Sequence, residues 1–269
     1  MLTKYIKSPL RYPGGKSKLL KYIVPYFPDN FDEYIEPFLG GASSLLYVLQ
    51  QYKPSKIIVN DLYSYLFIFW KQLKENYDQL YNNVYELKNK YTNGKDLYNY
   101  IINKISISTN DLEIATLFFI LNRITFSGIL EAGGYSQESY EKRFTISSIE
   151  RLKFASSLLK NVEINNDDYS KFLYNTNNNT FIYLDPPYYS VKKLYGKKGI
   201  LQNNFNHITL YENLKNCNHK WCLSYDDSNY IRDLYSNFYI NKIEVTYGMR
   251  NSSIKSNQKE SEIIIRNYK

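Results

Sequence analysis

The stretch Phe181-Ile182-Tyr183-Leu184-Asp185-Pro186-Pro187-Tyr188 decides the fold, because an apolar run stops at an acid, two prolines and an aromatic ring. The run predicts a buried strand, and an open parallel sheet binds its ligands at the carboxyl ends of its strands. Proline has no N–H, so we expect the carbonyl groups of Asp185 and Pro186 to accept hydrogen bonds from a substrate amine. Tyr188 offers a face on which a flat ring can stack. A turn with a solvated Asp185 is the alternative.

Strands alternate with helices on both sides of this stretch. Apolar and β-branched runs predict strands over 34–36, 56–60, 162–164, 181–185 and 221–226, and helical periodicity predicts helices over 42–51 and 63–73. Only a loop separates two further runs, 240–247 and 261–267, which predicts an antiparallel hairpin at the sheet edge. This order predicts a doubly wound, mostly parallel α/β sheet.

Residues 76–147 interrupt the alternation of strands and helices. The segment contains a polar helical part, an apolar helix near 112–122 and a glycine-rich part over 127–144. We therefore predict an inserted, mainly helical domain over 76–147, between the two halves (1–75 and 148–269) of the α/β domain.

Composition favours an acidic partner. The chain has 269 residues, 43% of them hydrophobic, and a formal net charge of +8. This length suffices for one large domain with an insertion, and the charge favours nucleic acid. Abundant Tyr, Asn, Lys and Ile are also typical of a genome poor in G and C, which weakens the argument from charge.

The two cysteines do not predict a metal site. Cys217 and Cys222 enclose His219, but the only other histidine is His207, whereas structural zinc needs four ligands. Reduced cysteines fit a cytoplasmic protein, and no stretch approaches the length of a membrane span or the core of a signal peptide.

Glycines after the first strand predict a site for a nucleoside-like ligand. The loop 36–41 ends in Gly40 and Gly41, which let a ligand approach the backbone closely. The dinucleotide fingerprint is absent, which argues against NAD. Asp61 ends the second strand, where a carboxylate either accepts hydrogen bonds from ribose hydroxyls or caps a helix.

The basic, glycine-rich loop 11–17 ends like a phosphate-binding P-loop. Leu10 stands where the first glycine of that motif is required, and no hydrophobic strand precedes the loop. A nucleotide triphosphatase is therefore not expected. We expect Lys16 to meet a carboxylate of a cofactor and Tyr12 to cover its aromatic ring.

Taken in order, the segments 12–17, 36–41, 61 and 185–188 resemble the Dam-type (D12 class) DNA adenine-N6 methyltransferase family over nearly the whole chain. The resemblance implies a class I methyltransferase fold with a seven-stranded sheet, S-adenosyl-L-methionine as cofactor, and a target-recognition insertion where 76–147 lies. Family members often have Trp in place of Tyr12 and Ala in place of Pro13, so the geometry of stacking at Tyr12 is left open.

The resemblance also implies roles for individual residues. Those expected to line the cofactor site are Tyr12, Lys16, Phe38, Gly40, Asp61, Asp168 and Asp185. Asp61 would hold the ribose and Asp168 the adenine, although the adjacent Asp167 is equally placed in the sequence. Catalysis would fall to Asp185, Pro186 and Tyr188.

The implied reaction is direct transfer of a methyl group to N6 of an adenine flipped out of double-stranded DNA. Asp185 and the Pro186 carbonyl would accept hydrogen bonds from N6 and localise its lone pair, and Tyr188 would stack on the base. Related tetrapeptides act on rRNA adenine, cytosine N4 or protein glutamine, and a catalytically silent DNA-binding relative is a further alternative.

Donors and aromatics after the apolar helix predict contacts with DNA. The residues expected to bind DNA are Arg123, Tyr135 and Arg143 in the insertion and Lys192, Lys193, Lys197 and Lys198 after the tetrapeptide. An ordinary solvated loop is the alternative for each. We expect a cytoplasmic enzyme of a prokaryotic or phage-infected cell, acting with a cognate restriction endonuclease or alone; the sequence does not give its target sequence or oligomeric state.

Overall fold

The fold is that of a computed structural model, which describes residues 5–12, 14–126, 134–174, 179–190, 205–245 and 260–269. It contains one seven-stranded sheet with strand order β3-β2-β1-β4-β5-β7-β6. The strands are β1 (Glu33–Glu36), β2 (Lys56–Asn60), β3 (Val162–Asn165), β4 (Thr180–Leu184), β5 (Lys220–Asp226), β6 (Tyr239–Val245) and β7 (Glu260–Arg266). β1 to β5 are parallel, and β7 pairs antiparallel with both β5 and β6. The predicted sheet and its C-terminal hairpin are thus confirmed.

The two faces of the sheet are both apolar, as expected when helices cover a parallel sheet on each side. Alternate residues of β4 belong to different hydrophobic clusters, Phe181 and Tyr183 to one and Ile182 and Leu184 to the other. In the register, Ile35 of β1 lies between Ile58 of β2 and Ile182 of β4. The hydrophobic run 181–184, which predicts β4, is buried along its whole length.

Helices cover both faces and follow the strands. They are α1 (Leu20–Ile23), α2 (Ser43–Gln51), α3 (Ser64–Glu75), α4 (Tyr77–Lys90), α5 (Gly94–Ile105), α6 (Asp111–Ile124), α7 (Gln137–Arg143), α8 (Ile146–Leu158), α9 (His207–Lys215) and α10 (Asn229–Leu234). The strand, loop and helix units 33–51 and 56–75 match the prediction to within two residues at each end. Because β1 and β2 are parallel, the polar residues at their carboxyl ends share one edge of the sheet.

The described part of 76–147 is mainly helical, and it packs on the sheet through α3. Every residue of α6 from Ile114 to Ile124 is buried, because this helix is surrounded by α3, α4, α5 and α7. Its Phe118 belongs to the same hydrophobic cluster as Phe69 of α3 and Phe181 of β4. The helices of the segment therefore share a core with one face of the sheet. In the described part of the chain no helix combines the length and apolarity that a membrane crossing requires.

Candidate active site

The carboxyl ends of β1, β2 and β4 border a cavity of about 450 Å³. The sequence-predicted cofactor residues all line it: Tyr12, Lys16, Phe38, Gly40, Asp61, Asp168 and Asp185. They come from five separate parts of the chain. Four of these parts follow parallel strands, which bring them together because each strand ends at the same edge of the sheet.

The glycine loop after β1 is shaped by the ring of Tyr12. Gly40 has a φ of +48°, in the left-handed region that favours glycine. A Cβ atom built at Gly40 would lie 2.9 Å from Cε1 of Tyr12, and one built at Gly41 would lie 2.8 Å from its Cβ. The indole of Trp70 donates to the Gly40 carbonyl at 3.0 Å. Both glycines are therefore needed for the close approach of Tyr12.

Asp61 holds the glycine loop and the start of α3 together. Its two carboxylate oxygens accept hydrogen bonds from the backbone N–H of Gly40 at 2.7 Å and of Tyr63 at 2.9 Å. Burial raises the pKa of Asp61 to about 6, against the effect of these two hydrogen bonds. Asp61 is not the N-cap of α3, which is Tyr63; it holds the turn before that helix and lies on the cavity wall.

An aromatic wall closes another side of the cavity. Phe38 lies 5.2 Å from Tyr169 and 5.7 Å from Phe205, measured between ring centroids. Asn213 of α9 donates to the Tyr169 hydroxyl at 3.2 Å. Tyr169 and Phe205 were missed in the sequence, where the only available signal for Tyr169 was its position directly after the predicted Asp168.

The adjacent acids Asp167 and Asp168 face different surroundings. Asp168 lines the cavity and caps the turn Tyr169–Phe172, where it accepts a hydrogen bond from Ser170 N at 2.9 Å. The Asp167 carboxylate instead pairs with Lys171 at 2.6 Å. Of these two acids, Asp168 is the one that lines the cavity.

Asn60 was also missed in the sequence. It is buried at the end of β2, and its side chain donates to the carbonyls of Pro37 at 3.0 Å and Asp167 at 2.9 Å. Its side-chain oxygen accepts from the backbone N–H of Asp167 at 2.8 Å. Asn60 thus links the loops after β1 and β3 across the end of β2.

Lys16 forms an ion pair with the acid of the tetrapeptide. Its ammonium lies 2.8 Å from Oδ1 of Asp185 and donates to the Gly14 carbonyl at 3.1 Å. Burial raises the pKa of Asp185 to about 6, Lys16 opposes that rise, and Glu262 adds to it. Asp185 is therefore mainly ionised at neutral pH. Lys16 also lines the cavity, so its predicted contact with a cofactor carboxylate stays a prediction beside this ion pair.

Tyr188 lies behind this ion pair and is joined to β7. Its ring centroid is 4.7 Å from the Lys16 ammonium, and its hydroxyl donates to Oε2 of Glu262 at 2.9 Å. The same Glu262 oxygen is 3.8 Å from the Lys16 ammonium. Glu262 was missed in the sequence, where the only signal was an acid within an isoleucine-rich strand.

Arg123 differs from its predicted place on the DNA-binding surface. Only 4% of the residue is exposed, and its guanidinium donates to the carbonyls of Arg143 at 2.6 and 2.8 Å and of Pro9 at 3.2 Å. Burial, together with Arg151, Arg11 and Arg143, lowers its pKa to about 9. In this structure Arg123 holds backbone segments together and does not face a phosphate.

The other predicted DNA contacts lie on or near the surface. Arg143 is exposed at the end of α7. Tyr135 is half-buried and forms an antiparallel bridge with Thr125, and its ring lies 5.9 Å from that of Tyr98. The lysines Lys192, Lys193, Lys197 and Lys198 lie outside the described residues.

Comparisons with known proteins agree with this geometry. The model of the family described as D12 class N6 adenine-specific DNA methyltransferase matches residues 12–249. The chain is 26% identical to the type II methyltransferase M.MjaIII of Methanocaldococcus jannaschii, over 98% of this chain and 99% of that protein. It is 26% identical to M1.LlaDCHI of Lactococcus lactis, over 96% and 94% of the two chains, and 24% identical to M.CviBI of Paramecium bursaria Chlorella virus NC1A, over 98% and 100%.

Proposed function

Because this chain belongs to the D12 class N6 adenine-specific DNA methyltransferase family and so transfers a methyl group from S-adenosyl-L-methionine to adenine N6 in DNA, we propose that Asp185 and Pro186 hold the N6 amino group. One observation carries the proposal: the Asp185 carboxylate stands at the end of β4, beside the cavity and 2.8 Å from the Lys16 ammonium. Lys16 favours the ionised carboxylate, which is the form that accepts hydrogen bonds at both oxygens.

The cavity residues fit S-adenosyl-L-methionine. A volume of about 450 Å³ lies within the range of about 300–1,000 Å³ that small-molecule sites occupy. The aromatic wall of Phe38 and Tyr169 suits a purine ring, and Asp168 is an acceptor beside it. The Asp61 oxygens each retain a second lone pair, which suits ribose hydroxyls. When bound, the cofactor supplies a methyl group on a positively charged sulfur.

The amino group of adenine is a poor nucleophile, because its lone pair is delocalised into the ring. Hydrogen bonds from N6 to the Asp185 carboxylate and to the Pro186 carbonyl favour a tetrahedral nitrogen with a localised lone pair. Pairing of β4 with β5 ends at Leu184, so these acceptors follow the last paired residue. Acceptors fixed in place before the reaction stabilise the positive charge that develops on N6. The charged nitrogen then loses a proton readily, and Asp185 need not be a strong base.

Tyr188 provides the stacking surface for the target base. Adenine within a duplex cannot reach the edge of the sheet, so it must flip out at a cost of a few kcal/mol. Stacking on an aromatic ring recovers about 1–3 kcal/mol per base. The hydroxyl of Tyr188 donates to Glu262, which fixes the orientation of the ring for this role.

Target recognition falls to residues 76–147 in this proposal, with 1–75 and 148–269 as the catalytic part. Arg143 and Tyr135 remain the proposed DNA contacts of the insertion, because Arg143 is exposed and Tyr135 is half-buried, beside its bridge partner Thr125. From their sequence position and charge, Lys192, Lys193, Lys197 and Lys198 are proposed to contact the DNA backbone. Arg123 is proposed to support this region from within.

A restriction-modification role is favoured by the relatives, whose names describe type II methyltransferases. We propose that methylation by this enzyme protects DNA from a cognate endonuclease in the cytoplasm of a prokaryotic or phage-infected cell. DNA from an expressing host, sequenced with detection of N6-methyladenine, gives the modified motif. An endonuclease that cuts this motif should spare that DNA and cut DNA from the host without the gene.

The proposed site is tested with labelled S-adenosyl-L-methionine and DNA that lacks N6-methyladenine. We expect label on adenine N6 after digestion to nucleosides, and none with Asp185→Ala. Asp29→Asn, an exposed acid ahead of β1, is the matched control and should keep full activity. Label on cytosine, or residual activity of Asp185→Ala within a few-fold of the unchanged protein, would contradict the proposal. DNA binding without any label would identify a silent relative.

A further inference from the structure

Glu262 is a buried acid in a strand whose neighbouring residues are isoleucine. Only 8% of it is exposed, and Ile263, Ile264 and Ile265 follow it in β7. A buried carboxylate is costly unless it is paired. For stability alone, an apolar residue would suit this position better than an acid. The contacts of the Glu262 carboxylate therefore indicate what the acid does.

The direction of β7 brings Glu262 to the active site. The strand runs antiparallel to β5, and Glu262 lies opposite Asp226 at the end of β5. The first residues of β7 therefore lie beside the carboxyl ends of the parallel strands. Asp185 lies at this same edge of the sheet. A residue late in the sequence thus lies beside the catalytic tetrapeptide.

A single oxygen of Glu262 contacts both groups that surround Asp185. Oε2 accepts the hydrogen bond from the Tyr188 hydroxyl at 2.9 Å and lies 3.8 Å from the Lys16 ammonium. That ammonium is in turn 2.8 Å from Asp185 and 4.7 Å from the centre of the Tyr188 ring. Burial and the nearby carboxylates raise the pKa of Tyr188 well above its usual value, so its hydroxyl remains a donor.

We propose that Glu262 is a positioning residue for methyl transfer. It fixes the hydroxyl of Tyr188, and thereby the ring on which the flipped adenine stacks, while it holds Lys16 beside Asp185. Glu262 itself does not touch the substrate. This inference rests on the proposed roles of Asp185 and Tyr188.

The decisive measurement is the single-turnover rate of adenine labelling, with the affinity for S-adenosyl-L-methionine measured separately. The DNA is one that the unchanged protein labels in the assay above. Glu262→Ala removes the acceptor and is expected to slow transfer about 10- to 100-fold, the usual effect of losing a hydrogen bond to a charged group. Cofactor affinity is expected to change less than about threefold, because Glu262 is not among the described residues that line the cavity and Lys16 keeps its closer partner Asp185.

Two further variants separate position from charge. Glu262→Gln keeps an oxygen in place for the Tyr188 hydroxyl but loses the charge, whereas Glu262→Asp keeps the charge and withdraws the oxygen by one methylene. Transfer should therefore be faster in Glu262→Gln than in Glu262→Asp. The matched control is Glu163→Ala, an exposed acid of β3 at the opposite edge of the sheet, which should leave the rate unchanged.

Coupling to Tyr188 completes the test. If Glu262 acts through the hydroxyl, adding Tyr188→Phe to Glu262→Ala should slow transfer little beyond the slower single variant. The inference is overturned if the two substitutions slow transfer by factors that multiply in the double variant. It is also overturned if Glu262→Ala transfers methyl groups within twofold of the rate of the unchanged protein. If Glu262→Ala does not fold, the transfer rates of Glu262→Gln and Glu262→Asp decide. Faster transfer by Glu262→Asp than by Glu262→Gln refutes the inference. Failure of the unchanged protein to label adenine would instead refute the proposed function.

Discussion

Replacing Gly40 with alanine is expected to damage the cofactor loop for two separable reasons. The φ of +48° at Gly40 is unfavourable for any residue with a Cβ. The added Cβ would also lie 2.9 Å from Cε1 of Tyr12, closer than side-chain carbons normally approach. The first effect is independent of Tyr12, whereas the second requires its ring.

The expected loss of stability follows from these two contributions. A left-handed conformation costs roughly 1–2 kcal/mol, and overpacking costs about 1–3 kcal/mol. Gly40→Ala should therefore lower the free energy of unfolding by about 2–5 kcal/mol. In a Tyr12→Ala background only the backbone cost of roughly 1–2 kcal/mol should remain.

Two other glycines provide matched controls. A Cβ at Gly41 would lie 2.8 Å from the Cβ of Tyr12, an atom that alanine retains, so Tyr12→Ala should not rescue Gly41→Ala. Gly134 has a φ of +56°, and among the residues that the structure describes no atom other than those of its chain neighbours lies within 4 Å of an added Cβ. Gly134→Ala should therefore cost roughly 1–2 kcal/mol in either background.

The assay is equilibrium unfolding in urea of each glycine variant, with Tyr12 present or replaced. S-adenosyl-L-methionine binding is measured on the same proteins, and we expect Gly40→Ala to weaken it because Gly40 lines the cavity. An equal loss of stability for Gly40→Ala in both backgrounds would show that the Tyr12 ring does not restrict the loop. That result would refute the explanation given for the paired glycines.

Four other outcomes are expected. Below pH 6 the rate of methyl transfer should fall about tenfold per pH unit, because the pKa of Asp185 is about 6 and protonation removes the acceptor; a flat single-turnover profile down to pH 5 would contradict this. Tyr188→Ala should weaken engagement of the target base while cofactor affinity stays within about threefold, as measured by binding of each ligand, and equal losses would contradict its stacking role. Arg123→Met should lower the free energy of unfolding by about 2–4 kcal/mol, because it leaves the buried carbonyls of Pro9 and Arg143 without their donor. Arg143→Ala should change that free energy by less than about 0.5 kcal/mol but weaken DNA binding, so similar effects of the two variants on stability would refute this distinction.

The fold and much of the cavity could be predicted because their signals are local. An apolar run that stops at Asp185 marks a strand end, and the rule that parallel strands share an edge places it beside the ends of β1 and β2. The glycines at 40 and 41 indicate a close approach without showing what approaches. The structure identifies it as the Tyr12 ring, which comes from a loop far away in the sequence.

Contacts between distant segments could not be predicted in the same way. Arg123 lies in the last turn of the apolar helix α6, at a position that suits DNA binding in the sequence. Its burial depends on the backbone at Pro9 and Arg143, which no pattern near 123 reveals. Glu262 resembles an ordinary polar residue near the start of an edge hairpin. Its contact with Tyr188 follows from the antiparallel insertion of β7 beside β5, a feature of strand order that sequence periodicity does not encode.

The position of β7 between β5 and β6 affects the order in which the enzyme can assemble. During synthesis, Lys16 and Asp185 leave the ribosome before Glu262 does, and until β7 docks, one edge of β5 has no partner. Closing a contact between such distant residues is slow compared with forming local helices. A nascent or truncated chain that lacks β7 would therefore carry the tetrapeptide 185–188 without Glu262 beside it. Such a chain would also expose the apolar edge of β5, which makes it prone to aggregation.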